Sequence, residues 1–139
     1  MLKTILVALD DSELADKVIQ TLQQLVLVKD SKVILCHVFS PSESEMELPA
    51  DRPHPESSTF SYFNIEKQLQ SYQTLLAVES NIELVTGNPP EEIIRLANIY
   101  KADLIIIGSR GLTGMERIVQ GSVSSQVVEE ANCSVLVVK

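Results

Sequence analysis

The sequence predicts an α/β fold in which helices pack on both faces of a parallel β-sheet. Short apolar runs alternate along the whole chain with segments whose apolar residues recur every three or four positions. The runs are apolar throughout, which is typical of strands that are buried on both faces of a sheet. Such alternation builds doubly wound sheets with right-handed crossovers. We therefore predict a doubly wound, five-stranded parallel sheet.

The first strand and helix are predicted within the first 28 residues. Lys3 to Leu9 read KTILVAL, a buried strand that ends at two aspartates, Asp10 and Asp11. A glutamate follows Asp10 three residues later, a spacing typical of a helix N-terminus. Apolar residues at helical spacing then predict a helix from about Ser12 to Val28.

The second strand is followed by a polar segment. Lys32 to Phe39 form the next apolar run, whereas residues 40 to 60 contain four prolines, six serines or threonines and five acidic residues. This composition is typical of loops. We interpret residues 40–60 as a polar insertion and leave open whether it is mobile. A second helix is predicted from about Ser61 to Val78, and a third strand from Asn81 to Thr86.

The third helix has a clear N-terminal signal, because Asn88 precedes two prolines and two glutamates. Its buried face is predicted to contain Ile93, Ile94, Ala97 and Tyr100. The remaining elements are predicted as a fourth strand Asp103–Ile107, a fourth helix from near Gly121 to Glu130, and a fifth strand Ser134–Val138.

A glycine motif links the fourth strand to the fourth helix. Residues 108–124 read GSRGLTGMERIVQGSVS, so that Gly108, Gly111, Gly121 and Ser122 follow the pattern G-x-x-G-(nine residues)-G-S. Free N–H groups in such a loop, with those of a following helix, form a donor site for phosphate oxygens. Glycines after a strand also often make only a turn. The motif matches neither a Walker A loop nor the G-x-G-x-x-G fingerprint.

The composition of the chain indicates its size class and excludes some kinds of partner. The 139 residues, 45% of them hydrophobic, fit one domain spanning residues 1–139. A net charge of −8 argues against nucleic acid or an anionic membrane as a partner. No apolar run has the length of a membrane span, and we expect a cytoplasmic protein. The two cysteines are expected to be buried or half-buried thiols, and no metal site or catalytic triad is evident.

Taken together, KTILVALDDSE, KVILCHVF, GNPPEEII, the glycine motif and SVLVV resemble the universal stress protein family along essentially the whole chain. The intact glycine motif resembles that of the ATP-binding members. The resemblance implies the strand order 3-2-1-4-5, which places strands 1 and 4 side by side. It also implies a homodimer formed through Val135 to Val138.

The resemblance also implies roles for individual residues. The triphosphate would lie on the loop and the helix start, the ribose near Gly108 and Asp10, and the adenine near Ala8 and Val38. Apart from the resemblance, Arg110 and Arg117 are the nearest cations in sequence, and either could offset phosphate charge. The phosphate donors would be the backbone N–H groups around Gly111, Gly121, Ser122 and Val123 and the hydroxyls of Ser122 and Ser124.

The predicted function is that of an ATP-binding stress-response regulator, with or without Mg²⁺, that signals through its conformation, its dimer state or a protein partner. A slow ATPase or phosphotransferase and a nucleotide-free dimerisation scaffold are the alternatives. We assign no catalytic residues, and a weak ATPase activity stays open. Asp11 departs from the family pattern and would repel a triphosphate unless it caps the helix, faces solvent or shares a cation with the phosphates.

Overall fold

The computed structural model describes residues 2–10, 14–25, 27, 29–39, 55–109 and 123–139, apart from the side chains of residues 55–61. Its elements in chain order are β1 (Thr4–Ala8), α1 (Leu14–Gln24), β2 (Lys32–Phe39), α2 (Pro55–Gln73), β3 (Glu79–Thr86), α3 (Pro89–Tyr100), β4 (Leu104–Gly108), α4 (Val123–Glu130) and β5 (Ser134–Val138). The predicted alternation of strands and helices is confirmed.

The five strands form one parallel sheet in the order β3-β2-β1-β4-β5. β1 is central: its residue Ala8 lies opposite Cys36 of β2 and Ile107 of β4. Nearly all residues of β1, β2 and β4 that lie in the middle of the sheet are buried, which explains why these runs are apolar without alternation. The doubly wound fold and the implied strand order are both confirmed.

The helices bury two separate apolar clusters, one on each face of the sheet. α1 and α2 cover one face, and α3 and α4 cover the other. The first cluster includes Val7, Val18, Leu22, Val33, Leu69 and Ile106. The second includes Leu6, Ile34, Ile93, Leu96, Ile105 and Val127. The chain therefore leaves β1 and β4 in opposite directions across the sheet, which makes the gap between these strands the switch point of the fold.

α2 lies several residues earlier in the chain than predicted. We expected Ser61 to Val78, whereas the helix begins at Pro55 and ends at Gln73. After Gln73 the chain makes a further turn, closed by a bond from the Leu76 N–H to the Gln73 carbonyl oxygen, 3.1 Å long. The end predicted at Val78 is wrong because β3 already begins at Glu79, where it pairs with the start of β2.

α1 and α3 agree with their predicted positions, with corrections in detail. α1 ends at Gln24 rather than at Val28, and its predicted start falls among residues 11–13, outside the described ranges. α3 begins at the predicted signal, with Pro89 as its first residue, and Asn88 caps it by accepting from the Glu91 N–H at 3.3 Å. The predicted buried face was wrong at Ile94, which is half-buried, because Leu96 faces the sheet instead.

Candidate functional site

The candidate site is the edge of the sheet where β1 and β4 end side by side. Ala8 is the last residue of β1 and pairs with Ile107, so that Gly108 is the next residue on β4. Asp10 follows two residues after Ala8. The switch point of a doubly wound sheet is where such folds bind ligands. The structure thus places Asp10 and Gly108, the two residues predicted to lie near the ribose, at one edge of the sheet.

The peptide after β1 is held by β2. The N–H of Leu9 donates to the Cys36 carbonyl oxygen at 2.8 Å. The carbonyl oxygen of Leu9 lies 2.8 Å from Nδ1 of His37. Asp10 therefore follows a residue whose two backbone polar groups are both bonded to neighbouring residues of β2.

Gly108 has a packing role at the end of β4. A Cβ atom at this position would lie 2.7 Å from Cδ2 and 3.0 Å from Cγ of Leu14, the first residue of α1. Real Cβ atoms essentially never make contacts as close as 2.7 Å. The glycine that opens the motif therefore allows α1 to approach the sheet closely. Ser109 then continues the pairing with β5 by donating to the Val138 carbonyl oxygen at 2.8 Å.

The two residues predicted to contact adenine lie on the same face of the sheet. Ala8 and Val38 are both partly buried and pack against the cluster beneath α3 and α4. Val123, the first residue of α4, packs against the same cluster. The structure therefore places these three predicted site residues around one apolar cluster.

The phosphate-binding part of the site is described only at its two ends. Ser124 lies in the first turn of α4 and is 2% exposed, so that its hydroxyl is largely withdrawn from solvent. Arg110, Gly111, Gly121 and Ser122 lie outside the described residues. Their predicted contacts with a triphosphate stay predictions.

Burial raises the pKa values of two side chains that the structure describes, Cys36 and Tyr72. Complete burial, with a smaller contribution from the charge of Glu83, raises the pKa of the Cys36 thiol to about 12, so that this thiol stays protonated at neutral pH. Burial and a 2.7 Å bond donated to Asp16 raise the pKa of Tyr72. No three metal-ligating side chains come together anywhere in the described ranges.

The comparisons with known proteins give the family. The model of the universal stress protein family matches residues 1–139. The chain belongs to the universal stress protein family. The protein MJ0577 of Methanocaldococcus jannaschii is 30% identical over 159 residues, covering 100% of this chain and 96% of that protein. A universal stress protein of Thermus aquaticus is 31% identical over 140 residues, and the match covers 100% of this chain and 100% of that protein.

Solved structures of the family share the fold. The structure of MJ0577 superposes with a TM-score of 0.72 at 33% identity, over 100% of this chain and 96% of that one. A universal stress protein in complex with cAMP has a TM-score of 0.71 at 21% identity, over 99% of this chain and 96% of that one. A member from Archaeoglobus fulgidus in complex with dAMP has a TM-score of 0.67 at 23% identity and complete coverage of both chains. Relatives of this chain thus bind adenine nucleotides.

His37 is the residue at this edge that sequence reasoning missed. The sequence places His37 in neither a metal site nor a catalytic triad, and its local sequence predicts no other role for it. The useful signal was the register: once β1 pairs with β2, the residue after Cys36 must lie beside the residue after Ala8.

No helix within the described ranges is long and apolar enough to cross a membrane.

Proposed function

We propose that this protein is a cytoplasmic ATP-binding regulator whose nucleotide site lies at the switch point between β1 and β4. The observation that carries the proposal is the adjacency of these two strands, which puts Asp10 and Gly108 at one edge of the sheet. Gly108 is also the first residue of the glycine motif. The cAMP and dAMP complexes of relatives support an adenine nucleotide as the ligand.

Each part of the nucleotide has a proposed partner. Adenine packs against Ala8 and Val38, which present an apolar surface beside the cluster under α3 and α4. The carboxylate of Asp10 accepts from a ribose hydroxyl. The triphosphate binds the N–H groups of the glycine motif and of the start of α4 at Val123. Arg110 and a Mg²⁺ ion carried by the phosphates offset the remaining negative charge.

Binding rather than turnover is the proposed role. A hydrolase of this kind positions an attacking water beside the phosphates and holds the metal with dedicated ligands. The described edge offers one carboxylate, Asp10, and a thiol that burial keeps protonated. Hydrogen bonds to charged groups contribute about 1.5 to 3 kcal/mol each, so a few loop donors support roughly micromolar affinity after the cost of association.

Calorimetry with ATP, ADP, AMP and cAMP, each with and without Mg²⁺, tests the proposal. We expect saturable binding with ATP the tightest, because only ATP presents all three phosphates to the glycine motif. Gly121→Val adds a branched side chain where a phosphate must approach the backbone. This variant should weaken ATP binding by at least about tenfold, which is about 1.4 kcal/mol, while circular dichroism shows an intact fold.

Gln126→Val is the matched control, because Gln126 is exposed on α4 and is not part of the motif. It introduces the same side chain and should leave ATP affinity unchanged. Equal affinity for ATP and AMP, or a folded Gly121→Val protein that binds ATP like the wild type, would contradict the proposed phosphate site. Absence of binding by every nucleotide would leave a dimerisation scaffold as the better account.

A further inference from the structure

His37 holds a carbonyl oxygen that the sheet does not otherwise pair. β1 ends at Ala8, and Leu9 lies beyond it. The Leu9 N–H nevertheless donates to the Cys36 carbonyl oxygen, and the Leu9 carbonyl oxygen lies 2.8 Å from Nδ1 of His37. The His37 side chain therefore takes the place of the next backbone hydrogen bond between β1 and β2. It holds the chain beside β2 up to Asp10.

The contact determines the protonation of the ring. A carbonyl oxygen can only accept a hydrogen bond, so Nδ1 of His37 must carry a proton and donate it. The neutral ring is therefore the Nδ1-protonated tautomer. The imidazolium form also carries a proton on Nδ1, so the bond to Leu9 persists in both states.

Two aromatic rings hold the imidazole in place. The ring of Phe39 meets that of His37 edge-on, with centroids 4.6 Å apart and an interplanar angle of 71°. Phe39 in turn stacks on Tyr62 of α2, at 5.6 Å and 20°. Aromatic pairs at these separations are favourable in both arrangements. The orientation of His37 is thus set jointly by β2 and α2.

We propose that His37 is a positioning residue of the nucleotide site. It holds the Leu9 carbonyl oxygen and thereby sets the backbone of Asp10, to which we assign the ribose. His37 acts through this peptide and not by touching the nucleotide. The expected effect of His37 on ATP affinity rests on the proposed function. The hydrogen bond from His37 to the Leu9 carbonyl oxygen, in contrast, can be measured in the nucleotide-free protein.

Three substitutions of His37 separate its donor from its ring. Asparagine carries an amide N–H at the same number of bonds from Cβ as Nδ1, glutamine carries its amide one bond further, and alanine has no donor. All three variants lose the ring contact with Phe39. We expect His37→Ala and His37→Gln to weaken ATP binding by about three- to tenfold, and His37→Asn to stay within about twofold of wild type.

A role in packing alone would make all three variants equally weak, and that outcome would overturn the inference. So would variants that all bind ATP like the wild type. In either case wild-type binding would leave the proposed function standing, and the thermal unfolding midpoint of each variant shows how much stability the lost ring contact costs.

Nuclear magnetic resonance of the nucleotide-free protein gives the independent readout. We expect the Nδ1-protonated tautomer of His37, and faster hydrogen exchange at the Leu9 amide in His37→Ala than in wild type and His37→Asn. If wild-type protein binds no nucleotide, the proposed function fails, and this exchange pattern still supports the hold on Leu9. An Nε2-protonated ring, or equal exchange in all variants, would overturn it.

Discussion

Gly108 shows that one residue can have both a packing role and a proposed binding role. The glycine belongs to the motif from which we inferred a phosphate loop, yet the structure gives a reason for it that needs no ligand. Its missing side chain makes room for Leu14 at the start of α1. We expect Gly108→Ala to lower the free energy of unfolding by about 1 to 3 kcal/mol, as overpacking does in cores. Urea denaturation measures this change.

A double-mutant cycle identifies the cause. In a Leu14→Ala background the two closest atoms that a new Cβ would meet are gone and only an ordinary contact with Val18 at 3.5 Å is left, so Gly108→Ala should cost much less there than in wild type. An equal cost in both backgrounds would contradict the packing account. The ATP affinity of the double variant, compared with that of Leu14→Ala alone, then tests the binding role separately, because a further loss of affinity without the steric conflict is expected only if Gly108 lies against the nucleotide.

At the scale of elements, Asp103 connects the start of β4 to the start of β1. Its N–H donates to the Thr4 carbonyl oxygen at 2.8 Å, and its carboxylate accepts from the N–H groups of Lys3 and Thr4, each at 3.0 Å. The Thr4 bond, followed by the Lys3 bond, lowers the pKa of the Asp103 carboxyl. The two strands that define the site are therefore also joined at the opposite edge of the sheet.

This connection predicts a pH dependence of stability. A lowered folded-state pKa means that the carboxylate stabilises the fold above the ordinary aspartate value of about 3.9, and that this contribution is lost as the pH falls through the lower value. Asp103→Asn keeps one acceptor but no charge. We expect it to be less stable than wild type at pH 7, by less than about 1 kcal/mol because the site is exposed.

Urea denaturation of wild type and Asp103→Asn at pH 7 and near pH 2 checks the direction in which the charge of Asp103 changes the free energy of unfolding. The difference between wild type and Asp103→Asn should shrink towards zero at the acidic end. A difference of the same size at both pH values would show that the charge of Asp103 contributes nothing through these bonds.

At the scale of the whole molecule, β5 forms an edge of the sheet. The Val138 carbonyl oxygen accepts from Ser109, so the backbone of Val138 faces β4. Successive residues of a strand direct their backbone groups to opposite sides, and Val137 therefore faces outward. We propose that the outer side of β5, along Val135 to Val138, pairs with a second copy of the chain, since apolar edges favour such pairing.

Val137→Pro tests the dimer without breaking the contact with β4, because proline removes only an outward N–H. We expect the wild type to sediment as a dimer and Val137→Pro as a folded monomer. Val137→Ala is the matched control, since it shortens the side chain, keeps the N–H and should stay dimeric. A monomeric wild type, or a dimeric Val137→Pro protein, would place any association elsewhere.

Local patterns in the sequence were sufficient for most of the fold. Uninterrupted apolar runs such as Ile5 to Leu9 predicted strands buried on both faces, because each residue of a central strand is covered from one side or the other. The residues around Asn88 predicted the start of α3, because the helix-start signal lies within a few residues of the first helical residue. The strand order came from the resemblance, since periodicity does not say which strands are neighbours.

Tertiary structure decided what depends on several elements at once. α2 ends at Gln73 because β3 must begin at Glu79 to pair with β2. Gly108 is needed because α1 approaches the end of β4, and His37 reaches Leu9 only because β1 and β2 are parallel and in register. A residue's neighbours in sequence predict most of its secondary structure and burial, whereas the exact end of a helix and the partners across the sheet are set when all the elements pack together.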